Sequence, residues 1–356
     1  MTEQLKSVSV LIPAYNEAGY IVGSVESIVK QDYPPEKLEI LVIDGRSKDA
    51  TRALVQEMAA RHPNVRLLDN PHRTVPFALN IGIRESRGEV IIIIGAHSLA
   101  APDFVRKNVE VLQRTGADCV GGTIACVADS RAGEIIAAAM RSTFGIGDST
   151  RRESQKEGYV THLAFPCYPK HVFAKIGGFD EEMVKNQDDE FSFRLRKAGG
   201  RIYFAPEIQS YYYVRPSLLA LWKQYFRYGL YKVRVFQKHP AQLSVRHFIP
   251  AGFVATLLLS LLLTFFSRFF AAIFLGVLAL YLIAVLAASV FISKRYGFRY
   301  FFLLPPAFAA LHFSYGSGFL CGLFKFFKNW SSPVKQNGKI PSFSAEPSSI
   351  PISTID

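Results

Sequence analysis

Asp188, Asp189 and Glu190 follow one another directly in the chain. Like-charge repulsion in such a run raises the pKa of at least one carboxylate, which suits it to act as a general base near neutral pH. A solvated acidic helix start accounts for the same run equally well. A second set of groups lies near the N-terminus, where Pro13, Tyr15 and Glu17 follow the apolar run VSVLI (8–12), and Asp44 and Asp49 follow LEILVI (38–43). Carboxylates and a phenol accept hydrogen bonds from the N–H and hydroxyl groups of a polar ligand. Each also has a local reading: Asp49 can cap a helix starting near Ala50, and Asn16 or Glu17 one running to Lys30. His97 follows VIIII (90–94), where its neutral ring can ligate a metal ion or simply hold the loop.

These groups need elements to position them. Short Val- and Ile-rich runs separated by about twenty-five helical residues read as a βαβ unit with a parallel sheet, and ligands of such sheets bind at the carboxyl ends of the strands. Strands are predicted near 8–12, 38–43, 65–68, 90–94 and 119–124, and helices near 17–30, 49–61, 76–86 and 103–115. The alternation predicts a doubly wound α/β sheet covered on both faces. IPAYNEAGY contains neither G-x-G-x-x-G nor a P-loop, which argues against dinucleotide or ATP binding by those routes. Residues 125–160 lose the alternation and, after a short helical run, are Gly-, Ser- and Arg-rich, as in a mobile loop over a site. Regular structure resumes over 161–210.

Charge divides the chain. Residues 1–207 hold 27 of the 29 acidic and 26 of the 41 basic residues, and no acid lies between Glu207 and Glu346. The net charge of +12 therefore belongs to the C-terminal third. There the run 218–236 has Leu218, Leu221, Trp222, Tyr225 and Phe226 at helical spacing, with Lys223, Arg227, Lys232 and Arg234 interleaved. It reads as an amphipathic helix lying in the headgroup layer. Uncharged runs follow at 249–266 and 269–292, and a mostly apolar one at 301–324. A span takes about twenty residues, so the second run is read as a transmembrane helix and the first as its hairpin partner. The third, with Pro305, Pro306, His312 and Gly316 to Gly318, either spans or dips in and returns. Three spans would leave Lys325, Lys328, Lys335 and Lys339 outside, against the positive-inside tendency, and a re-entrant third segment removes the conflict.

Because the cations flank lipid-length segments, anionic lipid and not nucleic acid is the expected partner. No secretory signal precedes the first strand, so the N-terminal domain is expected in the cytosol. Cys119, Cys126, Cys167 and Cys321 lack metal or redox spacing and read as structural thiols. The expected division is a domain at 1–210, an interface region at 211–247, membrane helices at 248–330 and a disordered tail at 331–356.

The order of motifs carries a resemblance. VSVLIPAYNE with DGRSKDAT, then IIIIGAHSLAAPDF, then IGGFDEEMVKNQDDEFSFRLRKAGGRIYFAPE, and finally Gln224, Arg227 and Tyr228 as a Q-x-x-R-Y form of Q-x-x-R-W resemble the inverting glycosyltransferases of family 2, whose fold is called GT-A. The likeness is greatest to membrane-attached exopolysaccharide enzymes of the succinoglycan-glucosyltransferase type. It implies that Pro13, Tyr15, Glu17, Asp44 and Asp49 hold a nucleoside-diphosphate sugar, UDP-linked by preference. It implies Asp188 as the general base that activates the acceptor hydroxyl, one in-line displacement giving inversion, with Gln187 standing where the family has an acid. Asp189, Gln224, Arg227 and Tyr228 would lie near the acceptor and the leaving diphosphate, Arg227 pairing phosphate oxygens. The family's metal-holding D-A-H variant here reads Gly95, Ala96, His97. His97 is then the remaining ligand, better suited to Mn²⁺ than to Mg²⁺. The implied acceptor is a polyprenyl-diphosphate-linked sugar, the implied partners are membrane lipid and other glycan-synthesis enzymes, and the implied location is the cytoplasmic membrane, multi-pass. Two alternatives stay open: transfer directly to polyprenyl phosphate, and a catalytically silent sugar-nucleotide- or lipid-binding subunit, suggested by Gly95 and Gln187.

Overall fold

The computed structural model describes residues 5–146, 156–242 and 244–331. The tail and part of the Gly-, Ser- and Arg-rich stretch lie outside the described residues. Val and Ile, stiff at χ1 and suited to a pleated surface, fill β1 (Val8–Ala14), β2 (Leu38–Asp44), β3 (Val65–Asp69) and β4 (Val90–Ile93). These pair in parallel in the order β3-β2-β1-β4, with Leu11 in register with Leu41 and Ile93. Both faces are covered. Helices α1 (Ile21–Val29), α2 (Thr51–Arg61) and α4 (Phe104–Thr115) pack against Val10, Ile12 and Val42, and α3 (Val75–Glu85) packs against Leu11, Leu41 and Ile43.

Beyond β4 the sheet departs from the expected parallel order and becomes mixed. β8 (Cys167–Pro169) lies antiparallel to β4, followed by β6 (Cys119–Val127), β9 (Ile202–Tyr213) and the short edge strand β5 (Ser98–Ala100), while β7 (Gly158–Tyr159) pairs with β9. β8 needs no helical crossover, because antiparallel pairing does not require one. The β6–β9 register shifts between Gly121 and Thr123, and Gly122 is required there: a Cβ would lie 2.1 Å from the Ile208 carbonyl. The stretch that loses the alternation contains the end of β6, the expected short helical run as α5 (Arg131–Arg141), and α6 (Thr143–Ile146). α7 (His171–Ile176) and α8 (Gln187–Lys197) are locked under β8 by a cluster of rings, with Phe179 stacked on Phe191 at 4.5 Å. That packing fixes where α8 begins, and therefore where its three acids stand.

Four helices complete the chain: α9 (Leu218–Lys238), α10 (Ile249–Leu263), α11 (Arg268–Tyr296) and α12 (Tyr300–Lys325). α12 runs unbroken through Pro305, Pro306 and the Gly316 to Gly318 segment. The glycines serve close packing: a Cβ on Gly318 would lie 2.0 Å from the Phe226 carbonyl, and one on Gly229 would lie 2.1 Å from that of Tyr315. α9 and α12 thus touch backbone to backbone, as small residues allow. α9 is accordingly not the isolated headgroup helix that its pattern predicts. Lys232, Arg234 and Lys238 turn inward to Asp189, Glu182 and Asp180, leaving Trp222, Lys223 and Arg227 exposed.

Among the described residues α11 and α12 are long and apolar enough to cross a membrane, with mean hydropathies of 2.8 and 1.3. α10, from the first apolar run, has 15 residues, about 22 Å, which is short of a full span. α11 is almost wholly unburied, whereas half of α12's apolar stretch is inside the protein. Both ends of α12 are tied down. Tyr300 donates to Glu134 at 3.3 Å at its start, and the Phe326 carbonyl accepts from Gln237 at 2.7 Å at its end.

Candidate active site

The carboxyl edge of the sheet is built from strained turns. Asn16, Arg46 and Arg73, at the ends of β1, β2 and β3, have φ of 55°, 59° and 64°, a left-handed region uncommon for non-glycine residues. The first two loops are laced together: the amide N–H groups of Asn16, Glu17 and Ala18 donate to Ser47 Oγ, Thr51 Oγ1 and Asp49 Oδ2 at 2.9, 2.8 and 3.1 Å. Asp49 also accepts from the Thr51 hydroxyl at 2.6 Å. Burial pushes its pKa upward, but these bonds hold it below its ordinary value. Asp44 is fully buried and accepts from Ser47 Oγ at 2.6 Å and Arg52 Nη1 at 3.2 Å. Both carboxylates therefore shape the loop from within. Pro13 and Glu17 are half-buried and Tyr15 is exposed, with its ring against Gly45.

His97 Nδ1 lies 3.0 Å from Glu17 Oε1, so two residues expected in separate roles form one pair, the carboxylate orienting the imidazole. A Cβ on Gly95 would stand 3.1 Å from Ser98 Oγ and 3.4 Å from the Phe165 ring. Among the described residues no three His, Cys, Asp or Glu side chains group in a way that could hold a metal ion. The donor set here, one imidazole and its orienting carboxylate, does not fit a protein-held divalent ion. Cations converge instead. Lys185 has its pKa lowered by burial and by the charges of Arg215 and Arg227, with Asp188 and Glu17 acting the other way. Neither Lys185 nor Arg215 stands out in the sequence, where each is a single basic residue beside a motif.

At the start of α8 the acids separate into distinct environments. Asp188 Oδ2 is 4.0 Å from His162 Nε2, and Asp189 Oδ1 is 3.4 Å from Nδ1 of the same ring. Asp189 also pairs with Lys232. Burial would raise its pKa, yet the charges of His162 and Lys232 hold it well below the carboxylate range. Glu190 is likewise lowered, by hydrogen bonds from His239 and Arg194 that outweigh burial. The expected upward shift from crowding is thus reversed for these two, because each acid has its own cation. His162 carries no sequence signal, lying in the irregular stretch before β8.

On α9, Gln224 Nε2 donates to the hydroxyls of Tyr228 and Tyr212 at 2.9 and 3.2 Å, and its Oε1 accepts from Arg215 at 3.3 Å. Burial raises the Tyr228 phenol to about 12. The Tyr228 carbonyl accepts from Asn186, the residue that opens α8, at 3.1 Å. α9 thereby ties its motif to the acidic helix start, with Arg227 exposed alongside. Behind the acids opens a cavity of about 950 Å³. His162 and Asp189 line one part of it, and Phe253, Val277, Leu280 and Ala284 of the apolar helices line another.

The sequence profile of glycosyl transferase family 2 matches residues 9–169, and that of glycosyl transferase family group 2 matches residues 90–292. The chain belongs to glycosyl transferase family 2. It is 30% identical over 327 residues to the dolichyl N-acetyl-alpha-D-glucosaminyl phosphate 3-beta-D-2,3-diacetamido-2,3-dideoxy-beta-D-glucuronosyltransferase of Methanococcus voltae, covering 89% of this chain and 97% of that one. It is 32% identical over 253 residues to the succinoglycan biosynthesis protein ExoA of Rhizobium meliloti, covering 70% and 76%. Among solved structures it shares the fold of the mannosyltransferase PcManGT from Pyrobaculum calidifontis, determined with GDP-Man and Mn²⁺, with a TM-score of 0.55 at 19% identity over 90% and 88% of the two chains. The fold is GT-A and the protein is a glycosyltransferase, so the reading as a catalytically silent subunit is set aside.

Proposed function

We propose that this family 2 enzyme moves a sugar from a nucleoside-diphosphate sugar, UDP-linked by preference, to a sugar carried on a polyprenyl phosphate or diphosphate, with inversion at the anomeric carbon. The supporting observation is the cavity, which joins a polar region at His162 and Asp189, next to the candidate base Asp188, to an apolar region among α10, α11 and α12. A free sugar has no use for the apolar region, and a lipid alone has none for the carboxylates. The name of the Methanococcus relative, with its acceptor on a dolichyl phosphate, favours the same class.

In this reading the donor lies along the β1 and β2 edge with its base toward the exposed Tyr15 ring. Asp188 takes the proton from the acceptor hydroxyl as that oxygen attacks the anomeric carbon. The bond to the diphosphate breaks on the opposite face, and its electron pair leaves with the diphosphate. The charge released there faces Lys185, Arg215 and Arg227. α10 and α11 enter and leave the bilayer as a hairpin with exposed Phe265, Phe266 and Phe269 at its tip, while α12 stays clamped to α9 at the surface. Lys294, Arg295, Lys325 and Lys328 then share the cytosolic side with the catalytic domain.

The test is transfer of label from a panel of nucleotide sugars into organic-extractable lipid by membranes holding the wild-type chain. Label in a lipid-linked disaccharide supports the reading. Label on polyprenyl phosphate itself would transfer the assignment to direct phosphate glycosylation. Label found only in water-soluble glycan would remove the lipid acceptor.

A further inference from the structure

The cavity holds polar groups that the transfer chemistry leaves unused. Tyr315 lines it, and its hydroxyl is buried with no hydrogen-bond partner, which is costly for a polar atom. Its helix is held tightly in place, since a Cβ on the neighbouring Gly316 would lie 2.4 Å from the Pro250 carbonyl at the start of α10. Arg246 and His247 line the cavity from the turn Val245–His247, just before α10, and Lys232 lines it from α9 with only 6% of its surface exposed. Among the described residues that line the cavity, Arg196, Lys232 and Arg246 carry a permanent positive charge and Asp189, paired with Lys232, a negative one. His247 adds a neutral ring, because burial and the charges of Lys232 and Arg246 push its pKa down to about 4. Cations beside an unpartnered hydroxyl donor complement an anion rich in acceptor oxygens.

We infer that Lys232, Arg246 and the Tyr315 hydroxyl form a subsite for the phosphate of the lipid-linked acceptor, between the start of α8 and the apolar part of the cavity. The inference rests on the lipid-acceptor reading above and adds how that acceptor is held. A lipid-linked sugar carries its hydroxyl, its phosphate and its hydrocarbon in that order. The cavity offers a counterpart to each: Asp189 and His162, the cations Lys232 and Arg246, and the apolar Phe253, Val277 and Leu280. The donor diphosphate has cations of its own: Lys185, Arg215 and Arg227 gather around Asp188 and Glu17, whereas Lys232 bonds to Asp189, on the other nitrogen of the His162 ring.

The probe is tritiated farnesyl phosphate, binding to the purified full chain in phosphatidylcholine nanodiscs, with farnesol and UDP as competitors. Wild type should bind saturably, with displacement by unlabelled farnesyl phosphate but not by farnesol or UDP. Arg246→Gln should weaken binding about tenfold or more, as for loss of a charge-assisted hydrogen bond. Tyr315→Phe, which removes one oxygen and no packing, should weaken it about threefold to tenfold, and Arg246→Lys should restore most of it. Equal binding by wild type and both variants overturns the subsite while leaving the lipid-acceptor reading intact. Displacement by UDP, with loss of nucleotide affinity in Arg246→Gln, overturns it in favour of the donor. No binding by wild type removes the lipid-acceptor reading itself.

Discussion

Asp188 and Asp189 are neighbours in sequence, and the structure separates what replacing each should do. Asp188 has a side chain 39% exposed, accepts a hydrogen bond from the Asp189 amide at 3.0 Å and lies 4.0 Å from His162 Nε2. An amide oxygen can keep that bond, so Asp188→Asn should leave stability within about 0.5 kcal/mol. It removes the proton acceptor, and general bases contribute about 10² to 10⁴ in rate, equivalent to about 2.7–5.5 kcal/mol of barrier. Asp189→Asn does the reverse. Lys232, nearly buried, loses its counter-ion, and a hydrogen bond to a charged group contributes about 1.5–3 kcal/mol. Tm should fall by several degrees while kcat falls far less than in Asp188→Asn. The assay pairs initial rates of lipid labelling with thermal unfolding in detergent. If Asp189→Asn lost as much kcat as Asp188→Asn at an unchanged Tm, the assignment of base and brace would be wrong. So it would be if Asp188→Asn kept more than a tenth of the wild-type kcat.

Other outcomes follow from the same geometry. His247 is held neutral with a pKa near 4, while the unfolded chain takes up a proton near 6.5. Stability should therefore fall as pH drops from about 6.5 toward 4, and His247→Gln should flatten that slope in pH-dependent unfolding. Gly318→Ala puts a methyl group into the Phe226 carbonyl and should cost about 1–3 kcal/mol, read as a lower Tm with loss of farnesyl phosphate binding. A C-terminal tag should be digested by protease in inside-out vesicles, because both ends of α12 are tied down; protection of the tag would mean that α12 crosses the bilayer. Gly95→Asp adds a carboxylate beside His97, which a protein-held ion lacks here, and should make activity respond more strongly to Mn²⁺ than in the wild type; an equal response would show that position 95 does not face the donor diphosphate.

Much of the fold was legible in the chain because local rules govern it. Runs such as VSVLI and VIIII admit little other than buried parallel strands, and their carboxyl ends fall where the polar loops begin. The order of the motifs was enough to recognise the family, and the switch from balanced charge to an apolar, basic C-terminal third marked the helices there. What the sequence could not show depends on contacts between distant segments. Cys167 returns antiparallel between β4 and β6 by pairings that leave no periodicity. His162 reaches Asp188 and Asp189 only through the packing that seats α8 under β8. Lys232 and Arg234 read as headgroup-facing cations in the sequence, yet they and Lys238 turn inward because their carboxylates sit on α8 and at the GGFDEE turn. In the sequence the GSG segment leaves open whether its run spans or dips in and returns, and only close approach to α9 makes it a contact surface. Periodicity reports which face of an element is apolar, and only the assembled structure decides what that face meets.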